Sequence, residues 1–458
     1  MSQRWDRIHP ADNAGVAAAS SGSWQRTPGQ RDRDRLLYSS ALRRLDGVTQ
    51  VVGPSEGYIF HNRLTHTLKV AQIARRLAEK FQNDPNRSLP QELPELSFEF
   101  DTELDPDVVE TAALAHDLGH PPFGHVAEHE LDRLARAHDL EDGFEGNAQS
   151  FRILTHHAIH FESYRGLNLT RATLNAVLKY PWRRDIANKT SRKFRKFGVY
   201  ESNVDSFNFA RKGYEEWDKK SLEASIMDFA DSITYSIHDL DDFYRAGLIP
   251  LADLARGRDE FNATLQAWEE HLSTKEMSGD EKARKRIEEI KGNEDVLRRF
   301  LEFIPIEAQY TGTRRARASM KTFASWMINK YISLAELDFL DADGEVIRVP
   351  PMADFEIAFL QWLVWHYVII NPQLATQQTG QCMIIRTLFN RYLEAIQATN
   401  KELIPPRFRD DIPVSQTLPD QVRLAIDIVA SFTDSQAIVM YRRMMGIKPG
   451  SVLELLHG

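Results

Sequence analysis

Apolar residues along this chain recur at intervals of three and four rather than two, so the chain reads as helical. The clearest stripe is Val70, Ile73, Ala74, Leu77 and Phe81, in the segment RLTHTLKVAQIARRLAEKF that Asn62 is placed to cap. RDRLLYSSALRRL (33–45) is amphipathic. Asp105-Pro106 opens a further helix through DVVETAALAHDL, with proline in the first turn, and Gly119 with Pro121-Pro122 stops it. SLEASIMDFADSITYSIHDLDDFYRAG (221–247) is another long helical stretch. The most apolar run, FEIAFLQWLVWHYVII (355–370), is too short to span a bilayer and is interrupted by Glu356, Gln361 and His366, which predicts a buried helix. STKEMSGDEKARKRIEEIKGNED (273–295) predicts solvent-facing helices, and NDPNRSLPQELPELSFEFDTELDP (83–106) a proline-rich surface loop. No alternating strand block appears; GVYESNV (198–204) and GEVIRVP (344–350) are at most short hairpin arms. Residues 1–30, rich in Ser, Gly, Asp and Arg without periodicity, read as a flexible N-terminal tail. The pattern predicts an all-α protein, with one large helical domain over 31–458 rather than the three that length alone suggests.

Composition narrows the class. With 42% hydrophobic and 27% charged residues, the chain has an ordinary globular balance and ample core material. A net charge of -9 argues against wholesale binding to nucleic acid or to an anionic membrane, while leaving room for a local basic pocket. A single cysteine, Cys382, rules out a disulfide framework within the chain and fits a reducing cytosol. The N-terminal MSQRWDRIHPADNAG lacks the apolar core of a signal peptide. The expectation is a cytoplasmic protein with no membrane partner.

Chemistry concentrates in a few positions. His116 and Asp117 are adjacent at a predicted helix end and offer one imidazole nitrogen and one carboxylate oxygen. His66 lies on an earlier helix, and Asp231 sits among Ile226, Phe229, Ala230 and Ile233. A carboxylate facing an apolar core is strongly unfavourable unless it is paired or bound to a metal. Two histidines and two aspartates make a mixed N/O donor set suited to Mn²⁺, Fe²⁺, Mg²⁺ or Zn²⁺. Taken singly, each position has a bland reading: a satisfied core histidine, a cap, an ion-pair partner. His120, His125 and Glu128 follow the His-Asp pair closely, and Tyr235 and Asp239 lie four and eight residues beyond Asp231, on one face of a helix. That stripe reads as a pocket wall, its alternative being a solvated face.

Several segments together, YSSALRRLDGVTQV (38–51), HNRLTHTLKVAQIAR (61–75), ALAHDLGHPPFGHVAE (113–128), GFEGNAQSFRIL (143–154), GLNLTRATLNAVLKYP (166–181), FGVYES (197–202) and MDFADSITYSIHDLDD (227–242), resemble the HD-superfamily deoxynucleoside triphosphate triphosphohydrolases, the dGTPase-like family. VASFTDSQAIVMYRRM (429–444) is a weaker echo. The resemblance implies an HD-domain helical bundle with additional helices, its HD core at about 60–245 and a C-terminal helical part at 246–458. It implies His66, His116, Asp117 and Asp231 as ligands of a divalent metal ion (Mn²⁺, Mg²⁺, Fe²⁺ or Co²⁺), and His125 with Glu128 as the catalytic histidine and its acidic partner. Arg63 resembles the α-phosphate contact, Gln50 and Asp239 the residues that read the sugar 3′-hydroxyl, and Tyr235 the ring that packs on deoxyribose. His120 lies near the phosphates, and Asn147 and Gln149 stand in a family-typical motif with no assigned role. Ser232, following Asp231, and Lys69 stand where many relatives carry an acidic residue.

The implied reaction is hydrolysis of a dNTP at the α-phosphorus to a deoxynucleoside and inorganic triphosphate, by a homo-oligomeric enzyme. The triphosphate tail calls for further cations. RRDIANKTSRKFRK (183–196) and TGTRRARASMK (311–321) are both strongly basic. Each suits β/γ-phosphates, an allosteric nucleotide or single-stranded nucleic acid, and each also fits a solvated basic face. The second cluster, with Arg314, Arg317 and Lys321, is the one expected to meet phosphate. Two alternatives compete with this reading. One is another HD phosphohydrolase acting on a different nucleotide; the other is a nucleotide-sensing or nucleic-acid-binding scaffold with a residual site.

Overall fold

The computed structural model describes residues 3–10, 26–50, 61–84, 104–214, 218–277, 280–306, 308–338, 346–369, 372–412, 414 and 417–447. Helices α1 (Pro28–Leu37) and α2 (Ser40–Arg44) lead to α3 (Arg63–Gln82), α4 (Pro106–Ala115), α5 (His125–Ala137), α6 (Gly146–Arg152) and α7 (Arg171–Ala176). The short α8 (Arg192–Arg195) and α9 (Val204–Ala210) precede α10 (Leu222–Thr234) and α11 (Leu240–Arg245). Then come α12 (Leu251–Arg256), α13 (Arg258–Glu276), α14 (Glu281–Glu302), α15 (Arg314–Leu334) and α16 (Pro351–Val364). The chain closes with α17 (Pro372–Gln397), α18 (Leu418–Ala430) and α19 (Asp434–Met444). The strand pair among the described residues is β1 (Glu336–Leu337) against β2 (Ile347–Arg348), antiparallel, with Glu336 opposite Arg348. The protein is all-α, as its periodicity predicts. No single helix among the described residues is long and apolar enough to cross a membrane.

Local chemistry sets these elements. Asn62 caps α3 by accepting the Thr65 N–H at 2.9 Å, and Val70, Ile73, Ala74, Leu77 and Phe81 of its stripe are all buried. Burying each of the larger of these contributes roughly 1.5–3 kcal/mol. Asp105 caps α4 through the Asp107 N–H, and Pro106 occupies its first turn. Helices α3, α4 and α10 pack on one another and form the centre of the molecule. The predicted stretch 221–247 is α10 followed by a π-helical turn, Tyr235–Asp239, and α11. The apolar run 355–370 lies largely in α16 and a second π turn, Trp365–Ile369. The buried hydrophobic side chains fall into two clusters that do not follow chain order. One gathers α1 to α4 with α10 to α16; the other joins α5 to α17, α18 and α19.

Two expectations are corrected. Residues 3–10 are not part of a flexible tail. Arg4 is buried and ion-paired to Glu223 at 2.7 Å, and Arg7 donates to Asp32 at 2.6 Å and to the Asn168 carbonyl at 2.5 Å. Their charge made the segment look solvated, but partners 25 to 219 residues away absorb that charge. The end of the expected tail is also ordered, since α1 begins at Pro28 with Thr27 as its cap, while 11–25 lie outside the described residues. GVYESNV forms no hairpin. Val199 makes an isolated parallel bridge to Arg183, and Glu201–Asn203 is a short 3-10 turn leading into α9. GEVIRVP does supply β2, while most of the proline-rich 83–106 stretch lies outside the described residues.

A buried polar hub ties the two clusters. Asp427 of α18 accepts from Arg152 Nη2 at 2.8 Å and from Gln149 Nε2 at 2.9 Å, with His157 Nε2 at 3.1 Å. Burial alone would raise its pKa, but Arg152 and His157 outweigh burial and hold the carboxyl well below its usual range. Replacing it strands a buried guanidinium, so Asp427→Ala should cost about 3–5 kcal/mol and visibly lower the melting temperature. The folded pKa is depressed. The contribution is therefore complete above the usual carboxylate pKa of about 4 and is lost as pH falls towards the folded value. The gap between wild type and variant should close only in strong acid. An unchanged melting temperature at neutral pH would contradict this account.

Candidate metal centre and active site

Four helices and one turn place the candidate residues. The first turn of α3 carries Arg63 and, three residues on, His66. Helix α4 ends at His116, its C-cap, and hands the chain to Asp117. Helix α5 starts at His125, with Glu128 one turn on, and α10 contributes Asp231. The break after Asp117 depends on Gly119. A Cβ there would lie 2.0 Å from the Gly146 carbonyl oxygen and 2.3 Å from the Ser150 nitrogen, so only glycine lets the turn seat against α6. The Gly119 N–H donates to Ser150 Oγ at 2.9 Å.

His66 Nε2 lies 3.1 Å from Asp231 Oδ1, and His116 Nε2 lies 3.6 Å from the same oxygen and 3.5 Å from Asp117 Oδ1. His116 Nδ1 donates to the Ala113 carbonyl at 2.6 Å, which fixes the tautomer and leaves Nε2 as a lone pair. That buried nitrogen has no hydrogen-bond partner. Donor atoms of His66, His116 and Asp231 all fall within 4.8 Å of one another. Lone pairs and carboxylate oxygens converging on one dry point suit a divalent cation, so the residues present fit a metal ion.

The surrounding charges are opposite in sign. Arg63 Nη1 donates to Asp117 Oδ2 at 2.8 Å, and Lys179 Nζ donates to Asp231 Oδ2 at 2.8 Å while also pairing with Asp228 at 2.8 Å. Burial works to raise the carboxyls of both Asp117 and Asp231. His116, Arg63 and His120 outweigh it at Asp117, and Lys179, His116 and His66 outweigh it at Asp231, so both are held well below the usual range. Burial and Arg63 push His120 down to about 4, which keeps it neutral near pH 7. The Nε and Nη2 groups of Arg63 are buried without partners.

Beside this cluster, His125 Nδ1 pairs with Glu128 Oε2 at 2.7 Å. The His125 side chain is 64% exposed and Glu128 only 6%, so the pair presents an imidazole to solvent backed by a fixed carboxylate. Lys196 Nζ donates to Glu128 at 3.0 Å and to Glu145 at 2.9 Å. Burial pushes the Glu128 carboxyl up, but His125 and Lys196 prevail and hold it well below its usual range. Gln50 Oε1 and Asp239 Oδ2 are buried and unpaired. Burial, then Asp242 and Asp231, raise the Asp239 carboxyl far above its usual pKa. The π turn at 235–239 adds a residue to the α-helical register, yet Asp239 remains buried and Tyr235 partly so.

The basic stretches behave differently from one another. Most cations of 183–196 are spent internally. Arg184 pairs with Asp132 at 2.5 Å, Arg183 with Glu201 at 3.2 Å, Lys193 with Asp218, and Lys196 with Glu128 and Glu145. Arg314, Arg317 and Lys321 lie exposed on the first turns of α15, and no described contact joins them to the His-Asp cluster. Asn147 bonds Glu145 and Gln149 bonds Asp427, so both shape α6 and its surroundings. Sequence reasoning missed Lys179, and it placed Lys196 in a basic stretch without its partners Glu128 and Glu145, because spacing does not reveal a lysine's distant partner. It also missed Arg44, which donates to the carbonyls of Leu118 and His120 at 2.7 Å each and to Ala430 at 3.1 Å and Phe432 at 2.9 Å. Burial, with Arg407 and Arg63 nearby, pushes Arg44 down to about 9. At position 69, lysine contacts His61 Nε2 and lies 3.1 Å from His238 Nδ1.

Comparison with known proteins agrees with this geometry. Residues 63–236 match the HD domain family, and residues 347–443 match the phosphohydrolase-associated domain. The chain is 32% identical to a deoxyguanosinetriphosphate triphosphohydrolase-like protein of Corynebacterium efficiens, over 96% of this chain and 96% of that one. It is 34% identical to one of Streptomyces coelicolor, over 95% of this chain and 97% of the relative. A third, from Bifidobacterium longum, is 31% identical over 92% of this chain and 83% of the relative. With the His-Asp cluster at the seam of α3, α4 and α10, and similarity running through nearly its whole length, the chain belongs to the HD-superfamily phosphohydrolases, in the deoxyguanosinetriphosphate triphosphohydrolase-like family.

Proposed function

We propose that this protein hydrolyses deoxynucleoside triphosphates at the α-phosphorus, releasing the deoxynucleoside and inorganic triphosphate, with a divalent metal ion held by His66, His116, Asp117 and Asp231. The observation that carries the reading is the convergence of His66, His116 and Asp231, with Asp117 3.5 Å from His116, next to the His125–Glu128 pair. A bound divalent cation supplies Lewis-acid polarisation of a phosphate oxygen and a lowered pKa for water.

The chain's own groups do the rest. In the overall step, water oxygen bonds to the α-phosphorus, the bond from phosphorus to the 5′-oxygen breaks, and that oxygen takes up a proton. His125 is the group to deliver or relay the proton, because it is exposed and Glu128 fixes its tautomer through Nδ1. Arg63, with two N–H-bearing nitrogens unpaired, offsets charge on the phosphate. Lys179 and Lys196 put two further ammonium groups beside the cluster. Gln50 and Asp239 each hold a buried, unpaired oxygen suited to a sugar hydroxyl, and Tyr235 offers a ring on which deoxyribose packs. Arg314, Arg317 and Lys321 belong to this reading only if substrate draws α15 towards the tail of the triphosphate. The single cysteine fits a cytosolic setting, and the family resemblance a homo-oligomer.

A panel of dNTPs and NTPs with Mn²⁺, Mg²⁺ and Co²⁺, its products resolved by anion-exchange chromatography, should show triphosphate and a deoxynucleoside. Orthophosphate or pyrophosphate as the released anion would overturn the reading in favour of another HD phosphohydrolase. Asp117→Ala should abolish metal binding, read by calorimetry, together with hydrolysis, while circular dichroism stays helical; wild-type turnover in this variant rejects the assignment. His125→Ala should keep metal and substrate affinity and lose about 10²- to 10⁴-fold in kcat. A change confined to KM would count against proton transfer.

A further inference from the structure

The segment VASFTDSQAIVMYRRM lies far from the His-Asp cluster in sequence, and nothing in the reaction above uses it. Helices α18 and α19 meet there at a bend of 115°. Asp434 opens α19, yet its carboxylate is not spent on that helix, whose cap is Thr433. Asp434 is buried. Its Oδ1 accepts the Phe123 N–H at 2.8 Å, and its Oδ2 accepts the Thr49 N–H at 3.2 Å and the Thr49 hydroxyl.

Both partners sit one step from the chemistry. Phe123 has φ +67 and Gly124 φ +62, a left-handed pair that is strained for a bulky side chain, and His125 follows at once as the first residue of α5. Thr49 immediately precedes Gln50. The two segments touch: a Cβ on Gly124 would lie 3.1 Å from Arg63 Nη2 and 3.4 Å from the Thr49 carbonyl. Gly47 packs so closely on Thr433 that a Cβ would fall 2.7 Å from its methyl carbon. The Arg44 guanidinium joins the same two regions through the Leu118 and His120 carbonyls on one side and Ala430 and Phe432 on the other. The far end of the chain thus closes on the turn that carries the catalytic histidine.

We propose that Asp434 is a positioning residue: one carboxylate holds the strained Phe123–Gly124 turn that presents His125 and the Thr49–Gln50 segment that reads the sugar. The phosphohydrolase-associated region then sets both proton transfer and deoxyribose selection. This rests on the reaction proposed above for the consequences in turnover, but not for the clamp itself.

Asp434→Asn tests it, because asparagine is isosteric and a packing role would survive the change. Whichever way the amide turns, its NH₂ faces a backbone N–H donor. The expected result is a fall in kcat of about tenfold to a hundredfold and a several-fold loss of dNTP over NTP preference. Hydrogen–deuterium exchange should speed up in peptides covering 45–50 and 119–126. Gln436→Ala removes the return arm of the α19 capping box without touching the clamp; it should lower the melting temperature and leave kcat and preference within about twofold. Thr49→Val removes one of the three donors and should move the same readouts by less, which keeps the test open if Asp434→Asn folds poorly. Unchanged exchange at 119–126 in Asp434→Asn, or losses in Gln436→Ala that match those of Asp434→Asn at equal melting temperature, would overturn the proposal. A wild type that releases no triphosphate from any dNTP overturns the reaction, and the exchange measurements then judge the clamp alone.

Discussion

The structure depends on keeping two imidazoles and two carboxylates together in a dry seam between α3, α4 and α10. Such a set is costly unless positive charge meets it. The protein meets it twice over, with donor atoms of His66, His116 and Asp231 spaced for one cation and with Arg63 on Asp117 and Lys179 on Asp231. At Asp117 His116 and Arg63, and at Asp231 Lys179 and His116, also hold the carboxyls ionised against the pull of burial, the state in which a carboxylate can bind a metal ion.

The rest of the fold reads as support for that seam. Asn62 starts α3 where it does, so Arg63 and His66 share its first turn. Gly119 lets the chain leave α4 abruptly and brings His125 back to the same side. Arg44, Asp427 and Asp434 then tie the HD-domain half to the C-terminal helices through charge-assisted bonds. The second hydrophobic cluster matches this arrangement, since it gathers α5 and Ala148 of α6 with α17 to α19.

How much of this was legible in the sequence follows from range. The stripe from Val70 to Phe81, the Asn62 cap and the Asp105-Pro106 start are written within a few residues, and all were readable. The HD family was readable as well, because His116-Asp117, HPPFGH and the carboxylate inside IMDFADSI resemble it. Long-range pairing was not. Arg4 and Arg7 looked like a solvated tail until Glu223 and Asp32 appeared beside them. The stretch 183–196 suited phosphates, an allosteric nucleotide or nucleic acid equally, yet most of its cations already have carboxylate partners. A positive charge in a sequence carries no address for its counter-charge.

The central claim is that one ion draws all four ligands together. The direct measurement is anomalous scattering from crystals of the Mn²⁺-loaded protein. The account predicts a peak at roughly 2 Å from His66 Nε2, His116 Nε2, an Asp117 oxygen and an Asp231 oxygen. A peak held instead by His120, His125 and Glu128, or none near Asp231, would contradict it.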